Sequence, residues 1–521
     1  MKFFVKILIF CGYLFLTQYA GAGEAMPAIA NAGFELIDES SKTRLAGWRT
    51  AGDGAIVNVD ESVKYADKQS VRIERKDGTQ FGGVSQTTDA TPWRGKLVIL
   101  QARLKVRQAG DGATGVWLKA DPAQEGVASF VHSYDTPLTG DSEWVIRRAL
   151  LDVPKNASTL TFGALISSTG TLWVDEFKLA ELGSNAAKPA TAVARLYLTG
   201  VITKLRDVAL NSPQVDWKRA EQIATMLATD STLPAETYDA IGFLLSNLGD
   251  NHSHLIPPTA AAELTTNRRT DDFNVNSESI SRMAYVSVPS YAGNNAERMT
   301  AFADELNKRI GTLASETPCG WIIDLRNNDG GNMWPMLAGL SSLLGDGIVG
   351  YFVSPKAKQP WEIKSGAALI QGVQAVALTM PPASLAATNT RVAVLTSART
   401  SSSGEAVAVA FRARAGTRSF GQLTDGRSTN NQSIALSDGA LMAVTTSTYA
   451  DRTGKLYGGK IAPDEFIAAT SQTDALAEDE VVAAAVKWLA LSAKNNCGKS
   501  HSRKHKKQVA SSVLLILNLD V

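Results

Sequence analysis

The stretch Val392–Glu405, VAVLTSARTSSSGE, constrains the fold of this chain more than any other. Its unbroken apolar run, Val392–Leu395, reads as a β-strand buried on both faces, which requires packed cover on each side. A Ser/Thr turn follows, and from Gly404 an alternating Ala/Val run can continue as a helix. A serine at such a junction meets free backbone N–H groups and the positive end of the helix dipole, a favourable place for a nucleophile. Ser401, Ser402 and Ser403 could equally cap the helix and fill the loop. A second run of the same kind, Gly320–Leu325 (GWIIDL), leads into Arg326–Asn332 (RNNDGGN) and an expected helix over Met333–Leu344. The double glycine lets backbone N–H groups approach a bound carbonyl, as an oxyanion hole requires. Neither a Gly-Lys-Ser/Thr ending nor a GxGxxG pattern is there to make it a phosphate cradle.

At 521 residues the chain is expected to form two or three domains, and 44% hydrophobic with 20% charged residues is the composition of a folded soluble protein. A formal net charge of +1 provides no global field for nucleic acid or an anionic membrane. Residues 1–22 read as a secretory signal: Lys2 and Lys6, an apolar core, then Ala20-Gly21-Ala22 as cleavage site. Phe10 before Cys11 argues against lipidation there. The expected location is secreted or periplasmic, with no integral membrane segment after cleavage. Cys319 and Cys497 are then free to form a disulfide, and neither has metal-ligand spacing. No metal and no cofactor are expected.

Residues 23–182 change to short alternating segments separated by Gly, Asp, Asn and Pro, among them Ser70–Glu74, Lys96–Val106, Gly115–Lys119, Leu160–Ile166 and Leu172–Leu179. This pattern predicts an antiparallel β-sandwich. Residues 183–192 form a polar linker, and 193–260 a helical lead-in, with Leu196, Leu198, Val201, Ile202 and Leu205 on one side and a second helix over Trp217–Leu227. The lead-in ends in the extended loop Leu248–Pro258 (LGDNHSHLIPP). Of five histidines, His132 belongs to the sandwich and His501 and His505 to the basic tail at 491–521. An imidazole base in the C-terminal half is therefore His252 or His254. A strand over Met283–Pro289 and a helix over Asn295–Gly311 complete the expected elements of the core at 261–490.

Three stretches together resemble the serine peptidase family of the C-terminal processing (tail-specific) proteases and the tricorn protease core. They are Leu248–Ser253, Ile323–Asn332, and Thr400–Glu405 with Gly421, Thr424 and Gly426; Ser437–Gly439 and Gly459–Asp464 match the closing hairpin and Pro-Asp signature. The resemblance implies a crotonase-like (ββα) α/β domain and makes Ser402 the nucleophile. Where the lysine-using branch has its base stands Arg427, which stays protonated and cannot take a proton. The histidine-using, tricorn-like branch implies His252 as general base, ahead of His254. The oxyanion hole falls on backbone N–H groups of Gly330 or Gly331 and of Ser403. A third member is open, because Tyr457 occupies the position of the family's glutamate; Ser253, Asp451 and Asp464 are the candidates to orient the imidazole. About 30 residues separate His252 from the strand at Met283, too few for the PDZ domain of processing proteases.

Asn31–Glu35 with Gly47-Trp48, and Gly170–Phe177, resemble the first and last strands of carbohydrate-binding or galactose-binding-like jelly rolls. Trp48, Trp93, Trp117, Trp144 and Trp173 are candidates for a sugar-stacking platform or for core. Glu35 and Asp175 are conceivable ligands for a structural Ca²⁺. The expected protein is a secreted serine endopeptidase acting on peptide or protein substrates, with a possible glycan partner for the sandwich. The alternative is a non-catalytic carrier or glycan-binding protein on the same scaffold.

Overall fold

The computed structural model describes residues 29–40, 45–77, 80–184, 187–266, 273–385, 390–468 and 476–493. Residues 1–22, expected to be a signal, together with Cys11 among them, Cys497 and the basic stretch beyond 493 lie outside the described residues. The chain divides into two compact units, residues 1–134 with 141–185, and residues 135–140 with 186–521.

The N-terminal unit is a sandwich of two five-stranded antiparallel sheets. One sheet runs in space Arg49–Ala51, Gly82–Asp89, Ala157–Ile166, Thr114–Pro122, Ser129–His132; the other runs Ile56–Asp60, Ser70–Arg75, Gly170–Glu181, Leu97–Arg107, Val145–Asp152. Alternate residues are buried along the inner strands: Val71 and Ile73, Leu104 and Val106, Val116 and Leu118, Leu160 and Phe162. That period of two is what a sheet with one inward face dictates. Trp48, Trp93 and Trp173 are buried, Trp48 with its ring 5.0 Å from Phe34 and 4.7 Å from Phe177. Trp117 and Trp144 are half-buried. The Glu35 carboxylate accepts the backbone N–H groups of Lys68 and Gln69, and Asp175 those of Tyr65 and Ala66. Both carboxylates fasten the loop before Ser70.

In the C-terminal unit a six-stranded sheet runs in space Ser277–Ile280, Met283–Ser287, Trp321–Asp324, Val392–Thr396, Thr417–Gly421, Glu465–Phe466, parallel except for its first pair. Its strands alternate between two cores. Ala284, Val286, Trp321, Ile323, Val392 and Val394 face one side with Phe302, Leu306, Met336 and Val407, which lie on the helices Ala296–Ser315, Met333–Gly339 and Ser403–Phe411. Met283, Tyr285, Ile322, Ala393 and Leu395 face the other with Val481, Val482, Ala485 and Leu489 of the helix Glu480–Ala493. Burial on both faces is why GWIIDL and VAVL carry no polar alternation. The helix expected over Met333–Leu344 is broken at Leu340.

A second, antiparallel sheet of seven strands runs from His254–Ile256 through Leu441–Asp451 to Val373–Ala377, with Thr429–Ala435 paired on Leu441–Asp451. The helical lead-in consists of Ala192–Val208, Trp217–Leu227 and Tyr238–Ser246. Leu198, Val201, Ile202 and Leu205 are buried as expected, but Leu196 is 70% exposed. It stands two residues from Leu198, about 200° around the helix, and cannot share that face.

Candidate active site

Strands Trp321–Asp324 and Val392–Thr396 are adjacent and parallel, with Asp324 opposite Leu395. Parallel neighbours deliver their next loops to the same sheet edge, where open α/β sheets place their sites. Arg326–Asn332 and Ser397–Ser403 therefore meet. Ser401 N–H donates to the Asn328 carbonyl at 3.0 Å, the Ser403 hydroxyl to the Gly331 carbonyl at 2.7 Å, and the Thr400 hydroxyl to the Leu325 carbonyl at 2.8 Å. Asn328 in turn donates to the Val288 carbonyl at 3.0 Å, fixing the loop to the end of the strand Met283–Ser287.

Ser402 is the residue before the helix Ser403–Phe411 and has φ 51° and ψ −116°. L-residues avoid this conformation, at a cost of order 1–3 kcal/mol, and it persists only where surrounding bonds enforce it. The enforcing group is Glu405, whose Oε2 accepts the Ser402 N–H at 2.9 Å. Oε1 of the same carboxylate accepts the Thr424 hydroxyl at 2.5 Å and the Gly426 N–H at 3.1 Å. Burial pushes Glu405 up to about 7 in spite of these bonds. The Ser402 side chain is half-buried, and the buried Tyr449 phenol lies near it.

Gly330 N–H is occupied by the Asn328 side-chain oxygen at 3.1 Å. Among the described residues the N–H groups of Gly331 and Ser403 donate to no protein acceptor. Both flank Ser402, because a Cβ on Gly330 would lie 3.3 Å from Ser403 N and the Ser403 hydroxyl sits on Gly331.

His252 is 8% exposed. The Asp250 carboxylate fastens its loop, accepting the N–H groups of His252 and Ser253 and the Ser253 hydroxyl. The imidazole Nδ1 lies 2.9 Å from the Thr429 hydroxyl oxygen, and the Asn431 amide donates to the His252 carbonyl at 2.8 Å. Burial, then the electrostatic influence of Arg427 and His254, push the imidazole down to about 4, against Asp250 and Asp425. It is a neutral base at neutral pH. No hydrogen bond joins its ring to Ser402 among the described residues.

Of the residues expected to orient the imidazole, Ser253 bonds instead to Asp250 and to Thr445 N–H at 2.9 Å. Asp451 accepts Thr453 and Tyr457, and Asp464 accepts Ser419 and Arg412. The ring partner is Thr429, which sequence reasoning missed because a threonine opening a strand carries no distinguishing signal. His254 is exposed, on a strand paired with Leu441–Asp451. Asp425, also missed, accepts the Ser401 hydroxyl at 2.8 Å and lies 3.1 Å from Arg427 Nε. A cleft of about 580 Å³ lined by Phe273, Asn276, Glu305 and Arg309 contains none of these groups.

Residues 282–467 match the model of peptidase family S41. The chain carries an S41 domain, that of the C-terminal processing peptidases. It is a serine peptidase domain, and the matched span includes the Ser402 turn and the Gly330-Gly331 loop. The chain is 24% identical over 275 residues to the nisin-resistance protein of Lactococcus lactis subsp. lactis, covering 51% of this chain and 81% of that protein. Among solved structures, a lipoprotein from Streptococcus agalactiae has a TM-score of 0.49 at 22% identity, over 58% of this chain and 97% of its own. The CBM22-1 xylan-binding domain from Paenibacillus barcinonensis has a TM-score of 0.21 at 19% identity, over 31% of this chain and 97% of its own. No helix of the described residues is long and apolar enough to cross a membrane.

Proposed function

We propose that this S41 domain is an endopeptidase of the cell envelope or its exterior, cleaving through an acyl-enzyme on Ser402 with His252 as general base. The observation that carries the reading is the φ of 51° at Ser402, held by Glu405 beside unengaged N–H groups on Gly331 and Ser403. A hydroxyl presented in that way attacks a carbonyl whose oxygen those two N–H groups receive, each donor being worth on the order of 3 kcal/mol in the transition state. Thr429 takes the imidazole Nδ1, so Nε2 removes the serine proton and returns it to the leaving amine. Catalytic hydrogen bonds of this kind commonly tighten only in the substrate complex. The crotonase-like ancestry of the domain belongs to the same proposal. An oxidising location fits Cys319, which is disulfide-bonded. A glycan partner for the sandwich is a further part of the reading, consistent with the half-buried Trp117 and Trp144.

The test is fluorophosphonate labelling of the purified chain with Ser402→Ala and His252→Ala beside it. Labelling of the wild type and of neither variant is the expected result. A folded wild type that does not label would replace the enzyme by a carrier or glycan-binding protein on this scaffold.

A further inference from the structure

Arg427 stands where a lysine base would be useful and cannot act as one. Its backbone is fixed at the centre of the site: its N–H, with those of Ser402 and Gly426, points to the Glu405 carboxylate, and Thr429 two residues on holds the His252 ring. Its guanidinium is near enough to act electrostatically on the imidazole. The side chain is 28% exposed.

What the guanidinium lacks is a full set of acceptors. Among the described residues its ion-pair partner is Asp425, 3.1 Å from Nε, in a geometry that leaves Nε without a hydrogen bond. The same carboxylate oxygen already accepts the Ser401 hydroxyl at 2.8 Å. Among the described residues neither terminal nitrogen of Arg427 donates to a protein acceptor. An arginine with its fork open beside a nucleophile is a receptor for a planar anion, since two parallel N–H groups match a carboxylate in both geometry and charge. A peptide brings carboxylates to this place in two ways, as an Asp or Glu side chain near the scissile bond or as a free C-terminus close behind it.

We propose that Arg427 is the specificity-determining residue of this peptidase, binding a carboxylate of the peptide substrate beside Ser402. The inference rests on the serine peptidase reading above. Asp425 then holds the guanidinium in place from behind, and binding in the open fork satisfies its terminal nitrogens.

The experiment times fluorophosphonate labelling of Ser402 in the presence of three pools of random octapeptides. One contains Asp and Glu with amidated C-termini, one lacks them but has free C-terminal acids, and one has neither carboxylate. One of the first two pools is expected to protect Ser402 at about tenfold lower concentration than the third, the size of a charge-assisted hydrogen-bonded contact, and which of the two does so names the source. In Arg427→Gln the protein still labels and the three pools protect alike; in Arg427→Lys the difference shrinks but survives. Equal protection by all pools in the wild type, or a difference that persists in Arg427→Gln, overturns the proposal. Should Arg427→Gln not fold, an undiminished difference in Arg427→Lys overturns it equally. A wild type that never labels removes the serine peptidase reading instead, and this inference with it.

Discussion

A Cβ placed on Gly330 would lie 2.8 Å from the Cβ of Ser402 and 3.0 Å from the Ser401 carbonyl oxygen. Gly330 also has φ 112°, a conformation closed to L side chains, so Gly330→Ala strains its own backbone and pushes on the serine turn. The expected cost is about 2 kcal/mol in stability. Fluorophosphonate labelling should fall further, by roughly 10²-fold, because a displacement near 1 Å is enough to spoil attack geometry. Gly345→Ala is the control: φ is 77° there, but nothing lies within 4 Å of the added methyl. It should lose stability and keep its labelling rate.

The pH profile should carry the mark of His252. An imidazole at its ordinary value would lose basicity below about 6.5, whereas burial and Arg427 hold this one down to about 4. The acid limb of kcat/KM is therefore expected between pH 4 and 5, and Arg427→Gln should move it upward by removing a positive charge. The sign for folding is the reverse of a stabilising His. Between those two values the unfolded chain binds the proton that native His252 refuses, so stability contributed at this site falls as pH drops from 6.5 toward 4. Urea titrations across that range, compared with His252→Phe, would detect it; an unchanged slope would refute the assignment.

Glu405→Gln replaces a group that accepts bonds on both oxygens with one that has a single acceptor. The new NH₂ must face either the Ser402 N–H or the Gly426 N–H, leaving a buried donor unpaired at about 1–3 kcal/mol. Facing Ser402, it would release the φ of 51°, so kcat should fall by more than tenfold with KM little changed. A variant whose loss lies wholly in KM would show that the carboxylate does not position Ser402.

The strands GWIIDL and VAVL were legible because burial on both faces removes the polar alternation from them, and the Ser402 turn because a serine between such a strand and a helix is conspicuous. The sandwich showed itself by its period of two. Thr429, Asp425 and Tyr449 were not legible. They reach the Ser401-Ser402 turn and His252 through the antiparallel sheet and its connecting loop, across separations such as the 177 residues between His252 and Thr429, which local pattern does not encode. Asp451 and Asp464 illustrate the converse. A carboxylate near a motif looks like a triad member in one dimension, yet Asp451 caps its own turn and Asp464 ties Arg412 to Ser419.

Asp324 and Arg326 belong to the stretch that resembles the family's loop, and both work as anchors rather than chemistry. Arg326 donates to Asp324 through Nε and Nη2, the latter at 2.6 Å, and through Nη1 to Asp479 at 2.6 Å; the Tyr285 hydroxyl donates to Asp324 at 2.8 Å. The three charged side chains are 8% exposed or less. Asp479 also accepts the N–H groups of Val481 and Val482, so this cluster joins the helix Glu480–Ala493 to the loop that carries Gly330. Arg326→Ala strands two buried carboxylates and should cost about 3–5 kcal/mol. Asp479→Asn keeps an oxygen for the helix N-terminus and should cost less, near 1–2 kcal/mol. Because Asp479 is spent on Arg326, the double variant should be destabilised by less than the sum of the two, and a double-mutant cycle in urea reads that coupling directly. The labelling rate of Ser402 should drop with Arg326→Ala even where the protein remains folded, since the Arg326 carbonyl receives the Ser397 hydroxyl at the start of the Ser402 turn. Additive costs, or a fully retained labelling rate, would mean that the helix and the site are anchored independently.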